Sequence, residues 1–158
     1  MTGTAKRMEV GIVGTGAMGR GIAQVSVEGG AEVRLFDAQA GAAEKARDFI
    51  MSMVDRSVAK GTRTATQAEK IAGRIAIVDK LEALAGCDLV VEAIVEKLDV
   101  KQALFATLDG ICGPDTILAS NTSSLPITAI AARCRTPERV AGLHFFNPFA
   151  MMPLVEVI

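Results

Sequence analysis

Two hydrophobic rhythms alternate along the chain. Short, nearly continuous apolar runs read as strands, and the longer stretches between them repeat apolar positions every three or four residues, as amphipathic helices do. "MEVGIVG" is a β-branched run closed by glycine, and "MGRGIAQVSVEGG" has helical spacing and stops at Gly29-Gly30. "AEVRLFD" predicts a second strand. A long helix over "AGAAEKARDFIMSMVDRSVAKG" ends before Gly61, and "ATQAEKIAG" predicts a short one. "RIAIVD" and "CDLVVEAI" predict strands three and four, and "KLDVKQALFATLDGIC" a helix. "TILASN" predicts strand five, "PITAIAARC" a helix and "RVAGLHF" strand six, with "PLVEVI" a candidate seventh. Strands that are apolar at almost every position have both faces covered. Their alternation with helices predicts an α/β fold: a doubly wound, mainly parallel sheet with helices on both faces.

Composition narrows the class. A length of 158 residues suits one domain with a substantial core. A net charge of −1 gives no reason to expect nucleic acid or an anionic membrane surface as a partner. The chain has no apolar run long enough for a membrane-spanning helix. The stretch before the first glycine turn lacks the apolar core of a signal peptide. Cys87, Cys112 and Cys134 are odd in number and far apart, so they fit neither a disulfide framework nor a metal site. They are expected as small buried hydrophobes in a reducing, cytoplasmic compartment, and no metal is expected.

The first turn carries the first chemical signal. "GIVGTGAMGRG" sets Gly14, Gly16 and Gly19 in G-x-G-x-x-G spacing between a strand and a helix, the context a dinucleotide site requires. The turn Gly14, Thr15, Gly16, Ala17, Met18, Gly19 then offers backbone N–H groups at a helix N-terminus to a pyrophosphate. Asp37 ends the second strand, 18 residues after Gly19. A carboxylate there accepts hydrogen bonds from a ribose diol and repels a 2′-phosphate, which favours NAD over NADP.

Ligands of such sheets bind beyond the carboxyl ends of the strands, where three polar clusters fall. "VEAIVEKLDVK" follows strand four, with Glu96 and Lys101. "SNTSS" follows strand five, with Asn121, Thr122 and Ser123. "HFFNP" follows strand six, with Asn147 and His144, the one histidine of the chain. Each has a plain alternative: a solvated helix start, a helix cap or a turn before proline. Three of the six aromatics, Phe145, Phe146 and Phe149, lie within five positions of His144.

Taken in order and spacing, "GTGAMGRGIAQ", "DLVVEAIVE", "SNTSSLPIT" and "GLHFFNP…MPLVEVI" resemble the N-terminal, NAD-binding domain of the 3-hydroxyacyl-CoA dehydrogenases, nearest to the short-chain 3-hydroxybutyryl-CoA kind. The resemblance runs from about Val10 to Ile158. It implies a Rossmann-type fold and NAD-dependent oxidation of a 3-hydroxyacyl-CoA to the 3-oxoacyl-CoA. By the same resemblance His144 is the catalytic base, Glu156 its carboxylate partner, Ser123 a substrate contact and Asn147 a residue beside the nicotinamide. Asp37, Glu96 and Lys101 become cofactor contacts and Lys60 a contact to CoA. Met53 stands where some relatives have a serine, so that CoA contact is not carried over. The resemblance further implies a second, helical domain for substrate and dimerisation, absent from residues 1–158, and a homodimer for a full-length subunit.

The residue types suit this chemistry independently. Oxidising a secondary alcohol needs a base for the hydroxyl proton, and an unperturbed imidazole titrates at about 6.5. A carboxylate orients and stabilises the imidazolium, hydroxyl and amide groups serve the oxygen that changes charge, and phenylalanines exclude water. Two other readings stay open on sequence alone. One is a nucleotide-binding module without turnover, which would not need both His144 and Glu156. The other is a dehydrogenase of free β-hydroxy acids, which would not need H-F-F-N-P.

Overall fold

The computed structural model of the chain describes residues 5–149 and 152–158. Its strands are β1 (Glu9–Val13), β2 (Glu32–Phe36), β3 (Ile75–Ile77), β4 (Leu89–Glu92), β5 (Ile117–Ser120), β6 (Val140–Phe145) and β7 (Val155–Val157). Its α-helices are α1 (Ala17–Glu28), α2 (Ala42–Ala59), α3 (Ala65–Gly73), α4 (Leu98–Ile111) and α5 (Ile127–Ile130). One sheet carries all seven strands in the order β3-β2-β1-β4-β5-β6-β7. The first six run parallel, and β7 returns antiparallel to β6. The order reverses between β1 and β4, so a crevice opens there at the carboxyl ends.

Both faces of the sheet are covered, as the continuous apolar strands require. Val10, Ile12, Val33 and Leu35 pack with α1, α2 and α3, including Ile22, Ile50 and Ile71. Val90 and Leu118 pack with α4 and α5 through Phe105, Leu108 and Ile130. Cys87 and Cys112 are buried in the second cluster and Cys134 is half-buried against it, all three as free thiols. Burial pushes the Cys87 thiol up to about 11. Among the described residues, no helix is long and apolar enough to cross a membrane.

One segment departs from the predicted pattern. The helix expected over "PITAIAARC" is a single α-turn, α5, followed by a 3₁₀ turn over Ala131–Arg133. Asp109 of α4 explains the stop. Its carboxylate accepts from the Arg135 amide (2.7 Å), the Thr136 hydroxyl (2.5 Å) and the Arg139 guanidinium (2.8 Å), which draws the chain away from a helical path. Burial tends to raise the Asp109 pKa. The hydrogen bonds from Thr136, Arg139 and the Arg135 amide, with the Arg139 charge, outweigh it and hold the carboxyl at about 2.

Asp109 and Arg139 are both nearly sealed from solvent, so removing one strands the other. Asp109→Ala should cost about 3 kcal/mol of folding stability, measured by urea unfolding at pH 7. A folded-state pKa of about 2, below the ordinary 3.8, makes this contribution complete above about pH 4. It is lost as pH falls through about 2, so the wild-type advantage over Asp109→Ala should shrink across that window. An advantage unchanged down to pH 2 would count against the carboxylate as its source.

Candidate active site

The glycine turn divides its three residues by physical need. Gly14 has φ +90°, and a Cβ there would sit 2.6 Å from the Ala93 carbonyl oxygen. A Cβ on Gly19 would fall 1.7 Å from the Gly14 carbonyl oxygen, so α1 can approach β1 only without one. Above Gly16 nothing lies within 4 Å. Gly16 caps α1 with no side-chain hydrogen bond, leaving the first-turn amides to an incoming anion.

Asp37 grips this turn. One carboxylate oxygen accepts from the Thr15 amide and the Thr15 hydroxyl, both at 2.8 Å, and the other from the Gln39 amide at 2.9 Å. Partial burial works to raise its pKa, but these hydrogen bonds outweigh it and hold Asp37 below the ordinary carboxylate range, ionised at neutral pH. Beside it lies a cleft of about 590 Å³ bounded by Gly14, Thr15, Gly16, Phe36 and Leu104. Ala93 and Ile94 form its far wall and also belong to a second cleft, of about 330 Å³, over the ends of β4, β5 and β6. The two clefts therefore adjoin across the crevice, as an extended dinucleotide requires.

The second cleft brings Met18, Glu96, Lys101, Ser123, His144 and Asn147 together. His144 sits on β6 directly opposite Glu156 on β7, and Nδ1 lies 3.0 Å from a Glu156 carboxylate oxygen. A carboxylate only accepts, so the tautomer of the neutral ring that fits this contact has its proton on Nδ1 and its lone pair on Nε2. The Phe146 ring lies 4.5 Å from the imidazole, centroid to centroid. Ser123 and Asn147 are exposed on the cleft. Asn121 does not cap the next helix: its side-chain oxygen accepts from the Phe145 amide at 2.9 Å and ties the end of β5 to β6.

Lys101 is the largest fully buried side chain among the described residues. Its ammonium pairs with Glu92 and, at 3.4 Å, with Glu96. Glu92 is wholly buried and also accepts from the Ile94 amide (2.8 Å) and the Ser120 hydroxyl (2.6 Å). Glu96 takes a short hydrogen bond from Thr122. Against the effect of burial, that bond and the Lys101 charge lower its pKa. The sequence reading missed Glu92. A glutamate closing an otherwise apolar strand, nine residues before a lysine on the next helix, was the available signal. Lys60 is not part of this cluster: it is exposed and caps α2. Arg63, three residues further on, is held by Glu28 (3.3 Å) and Ser57 (3.0 Å).

Residues 9–158 match the family described as "3-hydroxyacyl-CoA dehydrogenase, NAD binding domain". The chain belongs to this family. Its cofactor is NAD, which the adjoining clefts, the free α1 amides and Asp37 fit. Among similar proteins is the 3-hydroxyadipyl-CoA dehydrogenase of Escherichia coli K12, 49% identical over 149 residues, or 94% of this chain and 31% of that protein. Another is a probable 3-hydroxybutyryl-CoA dehydrogenase of Bacillus subtilis, 47% identical over 95% of this chain and 52% of that protein. The crystal structure of 3-hydroxybutyryl-CoA dehydrogenase from Escherichia coli K12 superposes with a TM-score of 0.92 at 48% identity, covering 96% of this chain and 32% of that one. The chain thus spans about a third to a half of these relatives.

The geometry at Asp37 gives a direct expectation. An ionised carboxylate at the end of β2 would meet a 2′-phosphate bound at this turn as a like charge in a partly desolvated site. The chain should bind NADH at least ~10-fold more tightly than NADPH. Titration of nicotinamide fluorescence with both cofactors measures this, and equal affinities would remove Asp37 from the ribose.

Proposed function

We propose that this chain is the cofactor-binding part of an NAD-dependent 3-hydroxyacyl-CoA dehydrogenase that interconverts 3-hydroxyacyl-CoA and 3-oxoacyl-CoA. The observation that carries the reading is the His144–Glu156 pair, 3.0 Å apart, at the mouth of a cleft adjoining the glycine turn. The pair is partly exposed, with 53% of the Glu156 side chain open to solvent. Such a pair adds little to stability, so a use in chemistry accounts for it better than a stabilising one.

His144 Nε2 removes the proton of the substrate 3-hydroxyl, and Glu156 holds Nδ1–H and balances the imidazolium that forms. NAD, when bound, accepts the hydride from the substrate carbon. Ser123 and Asn147 donate hydrogen bonds to the substrate oxygen as it becomes a carbonyl. Asn147 also borders the nicotinamide. Phe145 and Phe146 keep water off the reacting carbon. The buried ammonium of Lys101 fixes Glu96 at the cofactor wall, and Asp37 takes the adenosine ribose. Lys60 contacts a phosphate of CoA. The names of the relatives support a short acyl chain. A subunit as long as those relatives would add a helical domain that covers the thioester and forms a homodimer, in the cytoplasm.

Two experiments test this. In a version extended through such a helical domain, His144→Ala should lower acetoacetyl-CoA reduction by about 10³-fold, the size of a lost general acid–base, with NADH affinity unchanged. Glu156→Gln should lower it less, because the base remains and only its orientation and counter-charge are lost. Near-normal turnover by His144→Ala would identify another base. The 158-residue chain alone should bind NADH yet turn over several orders of magnitude more slowly than the extended version, because it cannot hold the thioester in place. Comparable rates, followed by NADH absorbance, would overturn the role given to the helical domain.

A further inference from the structure

A third groove, of about 420 Å³, opens between α1 and α2, and Asn147 belongs both to it and to the cleft of His144. Its walls are mainly apolar, from Phe49, Met53, Phe149 and Val25. Gly21 makes room for it: a Cβ there would lie 2.0 Å from the Phe149 ring. On this wall the guanidinium of Arg20 lies 3.9 Å from the centroid of the Phe49 ring. A guanidinium has five N–H donors, and attraction to a ring face holds the cation without using them. Among the described residues, Arg20 pairs with no carboxylate and its side chain makes no hydrogen bond. The other charged group of the groove, Glu28, is paired with Arg63 at 3.3 Å.

Beyond the groove, α2 carries further cations in line with its Phe49 and Met53. Phe49, Met53, Arg56 and Lys60 follow one another by four, three and four residues, which places them on one stripe of the helix. Arg56 reaches back to the Met53 sulfur at 3.9 Å. From Phe49 to Lys60 the stripe runs about 16 Å at the helical rise per residue. A ligand leaving His144 past Asn147 thus meets Arg20 first, in apolar surroundings, and the exposed cations of α2 only later.

We propose that Arg20, held over the Phe49 ring, is a specificity-determining residue that receives an anionic group of the acyl-CoA substrate beside Asn147. The inference rests on the acyl-CoA reading above. The group is a carboxylate or a phosphate ester. It comes either from the far end of the acyl chain or from the diphosphate of CoA, and both offer the paired oxygens that a guanidinium binds.

The test uses the version extended through the helical domain, saturated with NAD+ so that a 3-oxo thioester binds without being reduced, and three thioesters at up to millimolar concentration, followed by calorimetry. Acetoacetyl-pantetheine has neither anion, acetoacetyl-CoA has only the phosphates, and 3-oxoadipyl-pantetheine has only the distal carboxylate. Arg20→Gln should weaken one or both anionic thioesters by about tenfold, the worth of a charge-assisted hydrogen bond, and leave acetoacetyl-pantetheine within about twofold. The thioester that weakens identifies the source of the anion. Arg20→Lys should restore part of the loss. NADH affinity of Arg20→Gln must match wild type, which separates a lost contact from a lost fold. No change for either anionic thioester, or an equal loss for all three, would overturn the role of Arg20. An extended wild-type version that binds none of the three would overturn the acyl-CoA reading itself.

Discussion

The carboxylate of Glu92 holds the crevice together. It closes β4, the strand at which the order of the sheet reverses, and it has no access to solvent. A buried charge is tolerable only when paired and fully hydrogen-bonded. Glu92 meets that demand by drawing in three separate pieces of chain: the Ile94 amide after β4, Ser120 at the end of β5 and Lys101 from the first turns of α4. Lys101 then reaches Glu96, and Glu96 reaches Thr122 in the turn that carries Ser123. The floor and one wall of the cleft thus follow from neutralising a single buried charge. Removing either Glu92 or Lys101 would leave its partner uncompensated, a loss of several kcal/mol for a domain of this size.

What could be read from the sequence follows how local each interaction is. The glycine turn was legible because its constraints lie within one strand–turn–helix unit. A Cβ on Gly19 would meet the Gly14 carbonyl inside that unit, and Asp37 closes the turn from the neighbouring strand. The parallel sheet was legible because both faces of each strand are apolar. Glu92 and the burial of Lys101 were not, since a lysine early in a helix reads as solvated until the strand beneath it supplies a carboxylate. The early end of α5 was hidden for the same reason: its cause, Asp109, lies 18 residues before Ile127 in another helix. His144 and Glu156 could be named from their motifs, but their contact depends on the direction of β7, which the pattern "PLVEVI" does not encode.

That direction imposes a strict condition. Side chains on a strand alternate between faces, so a slip of one residue in the β6–β7 pairing would set Val155 or Val157 opposite His144 and turn Glu156 to the other face. A three-residue strand with every residue exposed has little burial to prevent this. The register is secured two positions from the reactive pair instead. Gly142 and Ile158 exchange hydrogen bonds, the Gly142 amide donating at 2.8 Å and the Ile158 amide at 3.0 Å. Gly142 permits this approach, because a Cβ there would lie 2.9 Å from the Ile158 Cβ and 3.1 Å from Ile127. The absence of one methyl group on β6 thus lets the returning strand sit close enough to fix its register. The 3.0 Å contact between His144 and Glu156 follows from that backbone fit rather than from any attraction strong enough to create it.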